Sequence, residues 1–236
     1  MHSNASFKEN FMVYLWDCFI RMARIKARLI ALKAHLMRKI RAESFELPAC
    51  AYLNTKLKPL NLRYHTFAQA LRLIQDRKLE RIVETGTSRF GGTNCAGDGC
   101  SSLIFTDYIN NYGGKFYSVD IDKQALLNAQ RDLKPDFKNA YFICSDSIKF
   151  LHNFSEQIDF LYLDSYDFEV TNPLASQKHH LLEVQAAYPK LHKNSVIMID
   201  DCMLPRGGKG KLAIDFLIKK GWKILIKGYQ VILVQD

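Results

Sequence analysis

The stretch Trp222-Lys-Ile-Leu-Ile-Lys227, Gly228, Tyr229-Gln-Val-Ile-Leu-Val234 decides the fold. Both runs are rich in β-branched and aromatic residues, which suit a pleated, half-buried surface. Gly228 alone separates them. A parallel crossover needs a dozen or more residues, so the two runs must pair antiparallel as a tight hairpin. Upstream the pattern changes. The short apolar runs Arg81–Glu84, Phe116–Asp120, Tyr141–Cys144, Phe160–Asp164 and Val196–Asp200 alternate with helical periods near 101–111, 122–133, 147–153, 176–190 and 209–220. Such alternation predicts βαβ units and a parallel sheet. The expectation is an α/β chain with a mostly parallel seven-stranded sheet, a C-terminal antiparallel hairpin and an N-terminal helical arm.

A length of 236 residues suits one α/β domain with an appendage. The net charge of +9 is unevenly spread: residues 1–45 carry +6 and the rest only +3. The basic character therefore belongs to the arm, and gives no strong nucleic-acid signal for the domain. Residues 7–42 lack Pro and Gly and read as one helix, with Ile25, Leu29, Leu32, Leu36 and Ile40 at spacings of three and four. Its apolar stripe suits packing on the domain or a homodimer ahead of an anionic membrane surface; a solvated face without a partner is the third reading. The division expected is a basic arm over 1–45, a connector and helix over 46–79, and the main domain over 80–236.

The run Phe11–Ile20 is too short to span a membrane, and its positive charge follows rather than precedes it, unlike a secretory signal. The cysteines, at 18, 50, 95, 100, 144 and 202, form no CxxC pair. They predict a reducing, cytoplasmic home, membrane-peripheral if the arm binds lipid. Cys95 and Cys100 share a Gly-rich loop and read as unpaired thiols ahead of a redox pair, while Cys144 and Cys202 read as small buried apolar groups.

Acids follow the strands: Glu84, Asp120, Asp146, Asp164, and Asp200 with Asp201. In an open α/β sheet the ligand crevice lies beyond the carboxyl ends of the strands, so these acids converge. Helix capping explains any one of them but not the set. After the first strand, Glu84-Thr85-Gly86-Thr87-Ser88 places a glycine where backbone can approach a ligand. Glu84 either steadies that loop or attracts a cationic ligand group. In Asp120-Ile121-Asp122 the first carboxylate has two acceptor oxygens for a ribose diol, and Asp122 reads as a helix cap. In Cys144-Ser145-Asp146-Ser147, Asp146 reads as a cap of the helix that follows.

These motifs resemble those of class I S-adenosylmethionine-dependent methyltransferases, over residues 80–236. The closing hairpin is typical of their Rossmann-like sheet, and a dinucleotide GxGxxG is absent. The glycine-rich first motif is interrupted, since Gly91 arrives one position late, and residues 89–98 read as an insertion. The resemblance implies that Glu84, Gly86, Ser88, Asp120, Ile121, Asp146 and Ser147 bind S-adenosylmethionine. Phe160–Asp164 with Val196–Asp201 further resembles the metal-dependent small-molecule O-methyltransferases of catechol, caffeoyl-coenzyme-A and macrolide-sugar types. By that resemblance Asp164, Asp200 and Asp201 ligate Mg²⁺ or another divalent cation, which orients a substrate hydroxyl and lowers its pKa. With no Lys or Arg beside them in sequence, such a cation is the expected neutraliser. Catechol-type enzymes carry a Lys base where this chain has Asp167, so the base does not carry over. His180, next to His179, is the candidate acting with Asp164, although a core histidine is the commoner fate. Lys209 and Lys211 are placed to meet an anionic substrate.

The expectation is thus an O-methyltransferase of a small hydroxylated molecule, in enzyme class 2.1.1. The alternatives are a metal-free methyltransferase of protein or RNA, and a membrane-associated scaffold that keeps the fold without turnover.

Overall fold

The computed structural model describes residues 51–57, 59–133 and 137–235. The arm over residues 1–45, with its dimer and membrane readings, lies outside them. Among the described residues the order is α1 (Ala51–Lys56), α2 (Tyr64–Asp76), β1 (Arg81–Thr85), α3 (Cys95–Asp98), α4 (Ser101–Tyr112), β2 (Lys115–Asp120), α5 (Lys123–Arg131), β3 (Ala140–Cys144), α6 (Ser147–Asn153), β4 (Phe160–Leu163), α7 (Pro173–Ala187), β5 (Val196–Ile199), α8 (Lys211–Lys219), β6 (Lys223–Lys227) and β7 (Val231–Val234). The strands form one sheet in the order β3-β2-β1-β4-β5-β7-β6. The first five are parallel. β7 inserts antiparallel between β5 and β6, so the hairpin closes the sheet as its sequence requires.

Alternation within each strand sends side chains to two cores. Phe160, Tyr162, Met198 and Ile232 join α1, α2 and α4 through Leu53, Leu57, Phe67, Leu71, Ile74, Leu103 and Phe105. Leu161, Leu163, Ile197, Ile199 and Leu233 face the other way, onto Leu151 of α6, Val184 of α7 and Leu217 of α8. Phe105 anchors the first core, its ring 5.6–5.9 Å from those of Phe67, Phe116, Phe160 and Tyr162, the spacing at which tilted aromatic pairs are favourable. The inner strands β4, β5 and β7 are buried throughout, as a sheet covered on both faces demands. The edge strands β3 and β6 are not. Cys144, at the end of β3, is consequently exposed, against the expectation of a buried thiol, while Cys202 is half-buried.

Candidate active site

The parallel strands share one register, so their carboxyl ends, and the acids there, lie along one edge of the sheet. On the β1–β2 side the chain turns sharply at Gly86. Its φ is +82°, and a Cβ would come 2.5 Å from the carbonyl oxygen of Asp164. Only glycine fits there, and the loop is held against the end of β4. Asp120 accepts hydrogen bonds from the backbone N–H of Thr87 (3.0 Å) and of Asp122 (2.8 Å), one on each carboxylate oxygen. An ionised carboxylate has about four acceptor positions, so two remain. Burial raises the pKa of Asp120 above the usual carboxylate range. Ile121, directly after it, is 76% exposed and offers an apolar face beside the carboxylate.

Glu84 lies wholly inside. Its Oε2 accepts from Ser102 Oγ and Ser118 Oγ, each at 2.6 Å. Ser102 in turn exchanges hydrogen bonds with Ser88: Ser88 N donates to Ser102 Oγ (2.9 Å) and Ser102 N to Ser88 Oγ (3.1 Å). Glu84 steadies the loop through this network, in which Ser88 is buried. Burial pushes Glu84 up to about 7, against the hydroxyls of Ser101, Ser102 and Ser118, which favour its charged form. Asp146 caps α6, accepting from Lys149 N at 2.8 Å, and Asp122 caps α5 through Gln124 N. Ser147 Oγ lies 3.2 Å from His179 Nε2.

The segment 89–99 folds over this edge. Cys95 and Cys100 form a disulfide, which overturns the reading of both as unpaired thiols. Gly99 and Cys100, which follow α3, both take left-handed backbone. Asp167, at the position of the missing lysine, binds Arg89 through both oxygens, at 2.9 and 2.6 Å.

The β4–β5 side holds Asp164, Asp200 and Asp201. Arg63, just ahead of α2, reaches across: Nε donates to Asp200 Oδ2 (2.7 Å) and Nη2 to Asp201 Oδ1 (3.1 Å). Its guanidinium stacks 4.6 Å from the Tyr229 ring. Lys209 Nζ donates to Asp164 Oδ1 (2.9 Å) and pairs with Asp201 Oδ2 (3.1 Å). Tyr162 OH donates to Asp200 Oδ2 (2.8 Å) and accepts from Gln230 Nε2 (3.0 Å). The backbone N–H of Asp201 takes Asp200 Oδ1. Burial opposes the charges of Arg63 and Lys209, yet the carboxylates outweigh it and both hold their protons more tightly than usual. Burial and the neighbouring Asp200 and Asp201 raise Asp164 well above the carboxylate range, against the pull of Lys209.

A hard divalent ion needs several free oxygens. Five of the six carboxylate oxygens here already accept a hydrogen bond or ion pair within 3.1 Å. The sixth, Asp164 Oδ2, has Tyr162 OH only at 3.5 Å. The residues do not fit a metal as they stand, and among the described residues no group of three or more His, Cys, Asp or Glu is arranged to hold one. The expected cation is replaced by two side chains. One, Arg63, lies 137 residues from its partner Asp200, in the segment expected to be a connector. Lys209 stood in the sequence as a candidate for an anionic substrate, and its pairing with Asp164 and Asp201 left no trace there.

His180 is not brought to this cluster by any hydrogen bond. It is wholly buried, Nδ1 donates to the Ser176 carbonyl (2.8 Å), and burial lowers its pKa. His179 lies between Ser147, Glu183 and the Tyr166 ring.

No protein-family model and no curated protein matches the chain. Its fold matches solved structures. The SAH-bound methyltransferase PaMTH1 of Podospora anserina superposes with a TM-score of 0.51 at 11% identity, over 72% of this chain and 78% of that one. NSun6 of Pyrococcus horikoshii, solved with SFG, gives 0.53 at 16% identity, over 70% of this chain and 50% of that one. The O-methyltransferase NovP gives 0.50 at 11%, over 73% and 78%. At such identities the likeness shows the fold alone: the chain has the Rossmann-like fold of S-adenosylmethionine-dependent methyltransferases.

Proposed function

We propose that this chain is an S-adenosylmethionine-dependent methyltransferase acting on an oxygen of a small hydroxylated substrate. One observation carries the reading. At the end of β2, Asp120 holds the loop after Gly86 through Oδ2, accepts from Asp122 N on Oδ1, and keeps two acceptor positions for a ribose diol, beside the exposed Ile121. S-adenosylmethionine would supply an electrophilic methyl on a sulfonium sulfur. Asp164 stands next to Gly86 across the loop contact, and its Oδ2 is the least engaged oxygen of the cluster. There Asp164 would take up the proton that the substrate hydroxyl gives up on methylation. Much of the catalysis is positioning. The likeness to NovP supports oxygen as the acceptor. Transfer to a protein or RNA rests on no residue of this site.

Calorimetric titration with S-adenosylhomocysteine tests the reading. The wild type should bind, and Asp120→Ala should bind at least about tenfold more weakly, since hydrogen bonds to a charged group are worth about 1.5–3 kcal/mol. Absence of wild-type binding, or equal affinity in both proteins, overturns it.

A further inference from the structure

We infer that Lys209, together with Arg63, stands in place of a divalent cation at the ends of β4 and β5, and masks a latent metal site. The inference deepens the proposed methyl transfer and rests on it for its catalytic meaning, but not for its geometry.

Three carboxylates from adjacent strand ends would repel one another unless neutralised. Counter-charge comes from within. Lys209 bridges Asp164 and Asp201 and so ties the ends of β4 and β5, while Arg63 bridges the neighbouring Asp200 and Asp201 after β5. The Lys209 side chain is 3% exposed, so its ammonium is a built part of the site and not a passing surface contact. Its turn is built too. Gly207 and Gly208 both take left-handed backbone, and a Cβ on Gly208 would fall 1.8 Å from the Asp201 carbonyl oxygen. Gln177 Nε2 ties the turn down through the carbonyls of Arg206 (3.2 Å) and Gly208 (3.0 Å). This packing fixes where Lys209 enters the cluster.

Lys209 and a divalent ion compete for the same oxygens, Asp164 Oδ1 and Asp201 Oδ2, and their like charges repel. With all three carboxylates ionised, as their pairing with Arg63 and Lys209 favours, the cluster sums to −1. A divalent ion added to it gives +1 in a buried place, whereas one replacing Lys209 gives zero. Lys209 is therefore a positioning residue. It sets the spacing of Asp164 and Asp201 that a metal would otherwise set, and leaves Asp164 Oδ2 to the substrate.

The test is Mn²⁺ binding to the full chain, wild type and Lys209→Met, followed by the paramagnetic resonance of free Mn²⁺. Wild type should show no stoichiometric binding. Lys209→Met should bind one Mn²⁺ about a hundredfold more tightly or better, the scale set by removing a like charge at contact distance. Its thermal midpoint should rise with Mn²⁺, while that of the wild type stays put. Stoichiometric binding by the wild type overturns the inference, as does a folded Lys209→Met that binds no better. Should Lys209→Met not fold alone, it is refolded with and without Mn²⁺: a yield that rises with the ion supports the latent site, and an unchanged yield refutes it. S-adenosylhomocysteine binding, measured on the same samples, separates failure of this inference from failure of the methyltransferase reading.

Discussion

Glu84 shows how a single residue couples loop geometry to pH. The folded state raises its pKa from 4.5 to about 7, so between those values the folded chain holds a proton that the unfolded chain has lost. Stability contributed by this group is therefore full below the unfolded value and declines as pH rises through about 7. The shift sets an upper bound near 3 kcal/mol. Glu84→Gln cannot ionise and loses that slope. Urea unfolding at pH 5 and pH 8 should show the variant gaining on the wild type by up to about 3 kcal/mol; parallel pH dependences in the two proteins would show that burial does not control this carboxyl. The Ser88 and Ser102 exchange depends on the same group, so Ser88, expected to meet the cofactor, is also held in the network that steadies the loop.

At the scale of the element, α3 and its disulfide decide the shape of the segment between β1 and α4. The carbonyls of Ala96 and Gly97 accept from Asn61 Nδ2 (2.9 Å) and Arg63 Nη1 (3.0 Å). The bridged turn thus also helps aim Arg63 at Asp200. Closing a loop of sequence separation 5 removes unfolded-state entropy worth about 2 kcal/mol. Replacing both Cys95 and Cys100 by Ser should lower stability by about that amount in thermal or denaturant unfolding. A dithiol reductant should lower the wild type to the same level and leave the variant unchanged. If the reductant alters neither protein, the bond contributes nothing to the fold.

Across the whole molecule, the segment 51–76 is part of the core it was expected to lead into. Leu53, Leu57, Phe67, Leu71 and Ile74 are buried with β1, β4 and β5 residues. Phe67 also touches the Tyr162 ring, at 5.6 Å between centroids, so the helix that follows Arg63 packs on the strand that leads to Asp164. Phe67→Ala should cost about 3–5 kcal/mol, and a chain begun at residue 80 should fail to give a cooperative unfolding transition. Full cooperativity in that shortened chain would show that the two helices are accessory.

The sequence by itself determined the sheet. Strand and helix periods, the hairpin around Gly228 and the acids at strand ends are local patterns, and local patterns survive in one dimension. Asp122 was legible as a helix cap for the same reason, because a cap needs only its next few residues. What neutralises Asp164, Asp200 and Asp201 was not legible. Local sequence offered no cation, while tertiary packing brought Arg63 from 137 residues away and turned Lys209 inward. The disulfide, the latch between Arg89 and Asp167 and the burial of His180 belong to the same class. Each depends on which backbone lies next to which, and that is fixed only when the two faces of the sheet are covered and the buried charges must find partners within the protein.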